Sequence, residues 1–98
     1  MDYININSLH KEAGPRLVFE ANLDVVKGKV NKTYSISIPN TSHNNKELNS
    51  LFSKYVNRKV SFPAKYTIEG VVFTGILLIT EISEFLASAL FITGNGLV

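Results

Sequence analysis

Apolar and polar residues alternate with a period of two in the first part of the chain, which predicts β-strands. One strand is expected over residues 17–25 and a second over 33–38. The segment Lys27-Gly28-Lys29 suits the turn between them, and Pro39 ends the second strand because it cannot donate to a sheet ladder. Residues 1–15 have no such alternation, so we expect an N-terminal arm there.

The period changes to that of a helix after Asn40. Five apolar residues recur at i, i+3, i+4, i+7 and i+8, namely Leu48, Leu51, Phe52, Tyr55 and Val56. This spacing places them on one stripe of an α-helix. One amphipathic helix over about residues 42–57 is therefore predicted, with Thr41 or Ser42 as its N-cap and Asn57-Arg58 at its end.

A period of two returns in the C-terminal part of the chain, where three strands are expected over 60–68, 71–80 and 85–93. Glu69-Gly70 provides a turn between the first two of these. Pro63 indicates an edge strand or a bulge, and Gly75 indicates a bend, a bulge or a close backbone approach. Both faces of the second strand are apolar, which predicts a central strand covered on each side.

This order of elements, β-β-α-β-β-β, predicts an α+β domain. We expect a mainly antiparallel sheet or a partly closed barrel, with the amphipathic helix packed on it. With 98 residues, the chain suits a single small β-rich domain over 16–98.

Composition excludes several classes of protein. The chain has no Cys, which excludes a disulfide framework, a thiolate zinc site and a thiol nucleophile. A net charge of +2 is too small to imply a nucleic-acid or lipid partner. The N-terminus lacks the features of a signal peptide, and Glu81 and Glu84 interrupt the most apolar stretch, so we expect a soluble protein without a transmembrane segment.

Candidate catalytic chemistry is sparse. His10 and His43 are far apart in the sequence and have no acidic neighbour at ligand spacing, so no metal site is expected. Glu81 and Glu84 are expected to be solvated turn residues rather than an acid/base pair. We therefore predict no catalytic residues, no cofactor and no small-molecule substrate.

Nucleic-acid binding is the alternative function. Lys54, Arg58, Lys59 and Lys65 form a basic group in which Tyr55 and Tyr66 are interleaved, as on a small basic β-barrel. Both tyrosines, however, fall on predicted apolar faces, which favours a place in the core.

The apolar C-terminal part suggests contact with a partner. The strand containing Pro63 and the strand over 85–93 are the expected edges for assembly. The candidate interface residues are Phe85, Leu90, Phe91, Leu97 and Val98. Leu97 and Val98 end the chain on apolar residues, as in a shortened chain or a tail that docks on a partner.

Two segments resemble a known family. Tyr34 to Asn45 reads as a strand that ends in Pro before a Thr-capped, Asn-containing helix, and Tyr66 to Ile82 reads as a strand pair followed by an apolar segment with Glu. With the final Phe91-Ile92-Thr93-Gly94-Asn95, this pattern over residues 17–96 resembles the N-terminal domain of virion proteins of tailed phages and prophages.

This chain departs from the family in having Asn40 where an Ala is usual, and in being shorter. The family has no catalytic residues in this region. The resemblance implies a structural tail or baseplate-type component that assembles with itself or with other virion proteins, in the virion or in the bacterial host cytoplasm during assembly.

Overall fold

The computed structural model describes residues 3–24, 29–54 and 60–94. Within these ranges, six strands form one sheet, and two short α-helices and one 3₁₀ turn complete the fold. The strands are β1 (Ile4–Asn5), β2 (Ala13–Asp24), β3 (Lys29–Pro39), β4 (Val60–Ile68), β5 (Val71–Ile82) and β6 (Leu86–Gly94). The helices are α1 (Ser42–Glu47) and α2 (Leu51–Lys54), and the 3₁₀ turn covers Ile6–Ser8.

The strands lie in the order β1-β4-β5-β6-β3-β2. All neighbours are antiparallel except β1 and β4, which are parallel. The α+β class and the mainly antiparallel sheet predicted from the sequence are therefore confirmed. The sheet is open, with β1 at one edge and β2 at the other.

The turn between β4 and β5 is the tight one expected from the sequence. Glu69 and Gly70 both have positive φ angles, 51° and 81°. A two-residue hairpin turn with both residues in this region matches the right-handed twist of its strands, and Gly adopts it without a steric penalty.

The predicted single helix over about 42–57 is wrong in one respect, because α1 and α2 are separated by a break. Thr41 is the N-cap, and its hydroxyl accepts a hydrogen bond from the Asn44 N–H at 3.1 Å. Asn49 and Ser50 then adopt positive φ angles of 58° and 61°, which no right-handed helix permits. Leu48, Leu51 and Phe52 are nevertheless buried, as the spacing predicted. Tyr55, Val56 and the predicted helix end at Asn57-Arg58 lie outside the described residues.

The expected N-terminal arm is instead part of the packed structure. Ile4 and Asn5 pair with Ala64 and Lys65 of β4. Ile6 is completely buried and Leu9 is 4% exposed. Burial of their apolar surface on the inner face of the sheet stabilises the segment, although its sequence lacks a regular period.

One face of the sheet, which we call the inner face, carries the hydrophobic core together with the helices and the N-terminal segment. Ala64, Gly75 and Thr93 lie side by side across β4, β5 and β6. Above this row of small residues the Tyr66 and Phe91 rings pack edge to face, with their centroids 5.8 Å apart. A Cβ atom on Gly75 would overlap the carbonyl oxygen of Ile92, so the close backbone approach suggested by the sequence is confirmed.

The sequence predicted that both faces of β5 are covered, but the face opposite the inner face is exposed. On the inner side, Leu77 and Ile79 are fully buried, whereas on the other side Val72 is 63% exposed and Ile76 is 48% exposed. The helices thus cover one face of the central strands, and the described residues leave the other open.

Candidate assembly surface

The open face of β4, β5 and β6, which we call the outer face, carries a contiguous apolar patch. Its members are Pro63, Ile76, Leu78, Leu90 and Ile92. Ile76 lies opposite Pro63 on one side and Ile92 on the other, and Leu78 lies opposite Leu90. All five are at least partly exposed. This group is the outer patch.

Three hydroxyl side chains border the outer patch, and the exposed charges of Lys65 and Arg16 lie beyond them, next to Pro63 on β4 and opposite Ser35 on β2. Ser61 lies opposite Leu78, Ser35 opposite Leu90, and Thr33 opposite Ile92. An apolar centre depleted of charge and bordered by polar groups is the composition of a protein–protein interface. Beside the patch, Tyr3 and Thr74 contribute to a shallow depression of about 430 Å³ that also includes Pro63 and Ile76.

The residues predicted for an interface occupy different environments. Phe85 is 75% exposed in the turn between β5 and β6, and Leu90 is partly exposed on the outer face. Phe91 is completely buried in the core, so its expected position at an interface is wrong. Leu97 and Val98 lie outside the described residues.

The strand over 85–93, expected at an edge, is also placed differently. β6 pairs with β5 on one side and with β3 on the other, so its backbone hydrogen-bonding groups are used within the sheet. The strand containing Pro63 does lie near an edge, because only the two residues of β1 pair with β4. The alternation of apolar and polar residues cannot distinguish an edge strand from a central one. It shows which residues share a face of the strand, but not which strands lie beside it.

Both edges of the sheet carry features that oppose the addition of a further strand. β2 has register shifts between Ala13 and Arg16, between Leu17 and Phe19, and between Asn22 and Asp24, as at β-bulges. On β4, the Asn7 side-chain amide accepts a hydrogen bond from the Thr67 N–H at 2.7 Å and donates one to the Thr67 carbonyl at 2.9 Å. The outer face is therefore the better surface for assembly.

Of the group suggested for nucleic-acid binding, the structure describes the side chains of Lys65 and Tyr66, which point to opposite faces of the sheet. Lys65 is exposed on the outer side, with its Nζ 5.1 Å from the centroid of the Tyr3 ring. Tyr66 is 3% exposed in the core, as its place on an apolar strand face indicated. Adjacent residues of a strand point to opposite faces, so these two cannot form one surface. The Lys54 side chain, Tyr55, Arg58 and Lys59 lie outside the described residues.

The two histidines, distant in the sequence, are neighbours in the structure. The rings of His10 and His43 are stacked, with centroids 4.6 Å apart and an interplanar angle of 26°. Asn44 holds this corner together, because its buried amide accepts from the His10 N–H and donates to the carbonyls of His10 and Pro39. The sequence shows that Asn44 lies in a helix-capping segment. It does not show that this side chain bonds the backbone of His10, because that contact forms only in the folded structure.

Neither a metal-binding cluster nor a membrane-spanning helix is present among the described residues. They contain no cluster of three or more His, Cys, Asp or Glu side chains arranged to hold a metal ion. They also contain no helix with the length and apolar character needed to cross a membrane.

The chain was also compared with known proteins. No family model, no curated protein and no solved structure matches it.

Proposed function

We propose that this chain is a non-enzymatic structural module that assembles with further copies of itself through the outer patch. The observation that carries the proposal is the exposure of Ile76, 48%, at the centre of an apolar surface on a paired strand. Contiguous apolar patches on folded domains mark contact surfaces. The five residues of the patch carry no charge, and exposed Lys65 and Arg16 at its margin can remain in water when two copies pack face to face.

A second copy is the occupant that best fits this surface. Two-fold symmetric packing brings the same patch of each protomer together, so one self-complementary surface is sufficient. Sheets packed in this way lie about 10 Å apart, with the side chains of their facing surfaces interdigitated. Partly exposed Leu and Ile side chains suit such a layer.

The place of assembly is a phage or prophage particle. The resemblance to N-terminal domains of tail and baseplate-type virion proteins supports this part of the proposal. The partners are then copies of the chain and neighbouring virion proteins, which meet in the bacterial host cytoplasm and remain together in the virion.

A partly closed barrel is the form of the sheet that we propose for this module. Asn7, which bonds the β4 edge, and Leu17, on the opposite edge strand, line the same cleft of the inner face. Residues from both edges therefore line one cleft, which supports a partly closed form of the sheet.

Absolute mass in solution tests the proposal. We would measure light scattering over a concentration series at low and moderate salt for the wild type, for Ile76→Lys and for Val71→Lys. Val71 lies on the same strand, is similarly exposed at 53%, and points to the other face. It is therefore a matched control for adding a charge.

We expect a defined oligomer that is insensitive to salt, that dissociates in Ile76→Lys and that persists in Val71→Lys. Circular dichroism establishes that the variants are folded. A wild-type monomer at every concentration would overturn the proposal, as would an Ile76→Lys oligomer of unchanged mass. A monomer that binds nucleic acid with an affinity that falls steeply with salt would support the small basic β-barrel alternative instead.

A further inference from the structure

A second surface feature lies on the inner face, away from the outer patch. It is a cleft of about 500 Å³ between the N-terminal segment, the start of β2 and the end of β4. Tyr34 and Tyr66 contribute to its wall, and Pro15, Leu17 and Ile68 provide apolar surface. This volume is within the range of pockets that bind small molecules.

The hydroxyl groups of the two tyrosines distinguish this cleft from the rest of the inner face. Tyr34 is 8% exposed and Tyr66 is 3% exposed, yet neither hydroxyl forms a hydrogen bond with any residue of the described chain. By contrast, buried Asn44 makes three side-chain hydrogen bonds to the His10 and Pro39 backbone, and buried Thr93 donates to the Thr74 carbonyl. Both tyrosines line the cleft and no described residue takes up their hydroxyls, so a ligand in the cleft can accept hydrogen bonds from them.

The charges near the cleft indicate which ligand chemistry it favours. The Lys11 Nζ lies 5.6 Å from the Tyr66 ring centroid and donates hydrogen bonds to the carbonyls of Ile6 and Leu9, each at 2.9 Å. An ammonium has three N–H donors, so one remains after these two bonds. Glu69 also lines the cleft, but its side chain is exposed.

A partly buried and fixed cation exerts a stronger field than an exposed carboxylate, which water screens. This cation lies over the ring of Tyr66, and Tyr66 lines the same cleft as Tyr34, so an anionic group in the cleft can accept hydrogen bonds from tyrosine hydroxyls within the field of Lys11. A carboxylate has two oxygens that accept such bonds, and hydrogen bonds to an ionised acceptor are stronger than those between neutral groups.

We propose that this cleft binds a small organic carboxylate. Its oxygens accept hydrogen bonds from the Tyr34 and Tyr66 hydroxyls, in the field of Lys11, and its apolar body packs on Pro15, Leu17 and Ile68. The cleft and the outer patch are on opposite faces of the sheet, so this binding does not depend on the proposed assembly.

Three probes of nearly the same shape test the charge preference. Benzoate is an aromatic carboxylate, benzamide is its neutral analogue and benzylamine is a cation. We would titrate each into the full chain and follow backbone amide shifts by NMR. We expect benzoate to bind at the cleft, benzamide at least tenfold more weakly, and benzylamine not at all. Failure of benzoate to bind, or tighter binding of benzylamine, would overturn the proposal.

Variants that lack only a hydroxyl test the contacts. We expect Tyr34→Phe and Tyr66→Phe each to weaken benzoate binding about tenfold, the loss of one hydrogen bond to a charged group. Tyr3→Phe is the matched control, because Tyr3 is exposed beside the outer patch, and it should bind benzoate as the wild type does. Equal benzoate affinity in all four proteins would overturn the proposal.

A stability measurement separates a binding role from a structural one. If the hydroxyls serve a ligand, each Phe variant without benzoate is as stable as the wild type or more stable, because a buried polar group without a protein partner has been removed. A clear loss of stability in both variants would show that the hydroxyls serve the fold, and would overturn the assignment.

Discussion

Leu90 and Phe91 are adjacent in β6, and their side chains point to opposite faces of the sheet. Phe91 is completely buried against Tyr66, whereas Leu90 is partly exposed opposite Leu78 in the outer patch. Phe91 thus belongs to the core that stabilises the fold, whereas Leu90 belongs to the surface proposed to stabilise the assembly. Substitutions at the two positions should consequently have different effects.

We expect Phe91→Ala to lower the free energy of unfolding by about 3–5 kcal/mol, because it leaves a cavity in the core. Leu90→Lys should change stability by less than about 1 kcal/mol, since the ammonium can reach water. The same variant should dissociate the oligomer. Urea unfolding and light scattering measure the two effects, and a Leu90→Lys protein that remains fully associated would contradict the proposed interface.

Gly75 tests the close approach of β5 and β6. An Ala at this position would place its Cβ against the Ile92 carbonyl, so the strands must separate. We expect Gly75→Ala to destabilise the protein by about 1–3 kcal/mol, the usual cost of overpacking. Gly70→Asn is the control, because no atom lies within 4 Å of a Cβ there and Asn tolerates a positive φ. Equal stability of the two variants would argue against a tight contact at Gly75.

Asn44 tests the polar corner that joins the N-terminal segment to α1. Asn44→Ala leaves the His10 N–H and the carbonyls of His10 and Pro39 without this partner. These backbone groups are part-buried, so each costs less than the about 1–3 kcal/mol of a fully buried group left unpaired, and we expect a total loss of about 2 kcal/mol. Ser53→Ala, at an exposed position of α2, should have little effect in the same thermal unfolding experiment. A loss at Asn44 no greater than that at Ser53 would show that this corner is not important for stability.

The ionisation of Tyr66 should lower the free energy of unfolding at alkaline pH. Burial raises the pKa of its hydroxyl above the ordinary value of 10.0. As the pH rises above 10.0, the unfolded chain therefore loses this proton before the folded chain does, and the folded state loses stability up to its raised pKa. Tyr66→Phe lacks this group, so the wild type should become less stable relative to the variant above pH 10.0 and keep a constant difference below it.

Urea unfolding of both proteins from pH 8 to pH 11 measures this difference. Burial also lowers the pKa of Lys11, whose contribution to stability rises with pH. Because Lys11 is present in both proteins, comparing them separates the contribution of Tyr66. A difference that does not change with pH would contradict the desolvation of Tyr66.

The break between α1 and α2 shows what local spacing can predict. The spacing of Leu48, Leu51 and Phe52 correctly predicted which residues face the core. It missed the break because the Asn45 side chain accepts a hydrogen bond from the Phe52 N–H at 3.1 Å, and the Asn45 carbonyl accepts one from the Ser50 N–H at 2.6 Å. Such bonds replace those of a continuous helix without changing the apolar pattern.

The candidate sites differ in how far the sequence could reveal them. Leu90 and Phe85 were predicted as interface candidates, and the structure exposes each of them at least partly. Ile76 was missed because both faces of its strand are apolar, so alternation does not show which one is covered. The tyrosine cleft was also missed, since Tyr34 and Tyr66 come together only when β3 and β4 fold over the same core.

The pattern of residues along the chain was enough to predict the positions of the main strands, an N-cap at Thr41 or Ser42 and the tight turn at Glu69-Gly70. These features depend on backbone sterics and on the side chains of residues near in the chain, so a short window of sequence contains their cause. Tertiary structure alone decided that β6 is central, that the N-terminal segment is buried and that one face of β5 remains open. Those outcomes depend on which distant segments pair and on how much apolar surface each pairing removes from water. Because every segment competes for the same partners, the result depends on the whole chain and not on a short stretch of it.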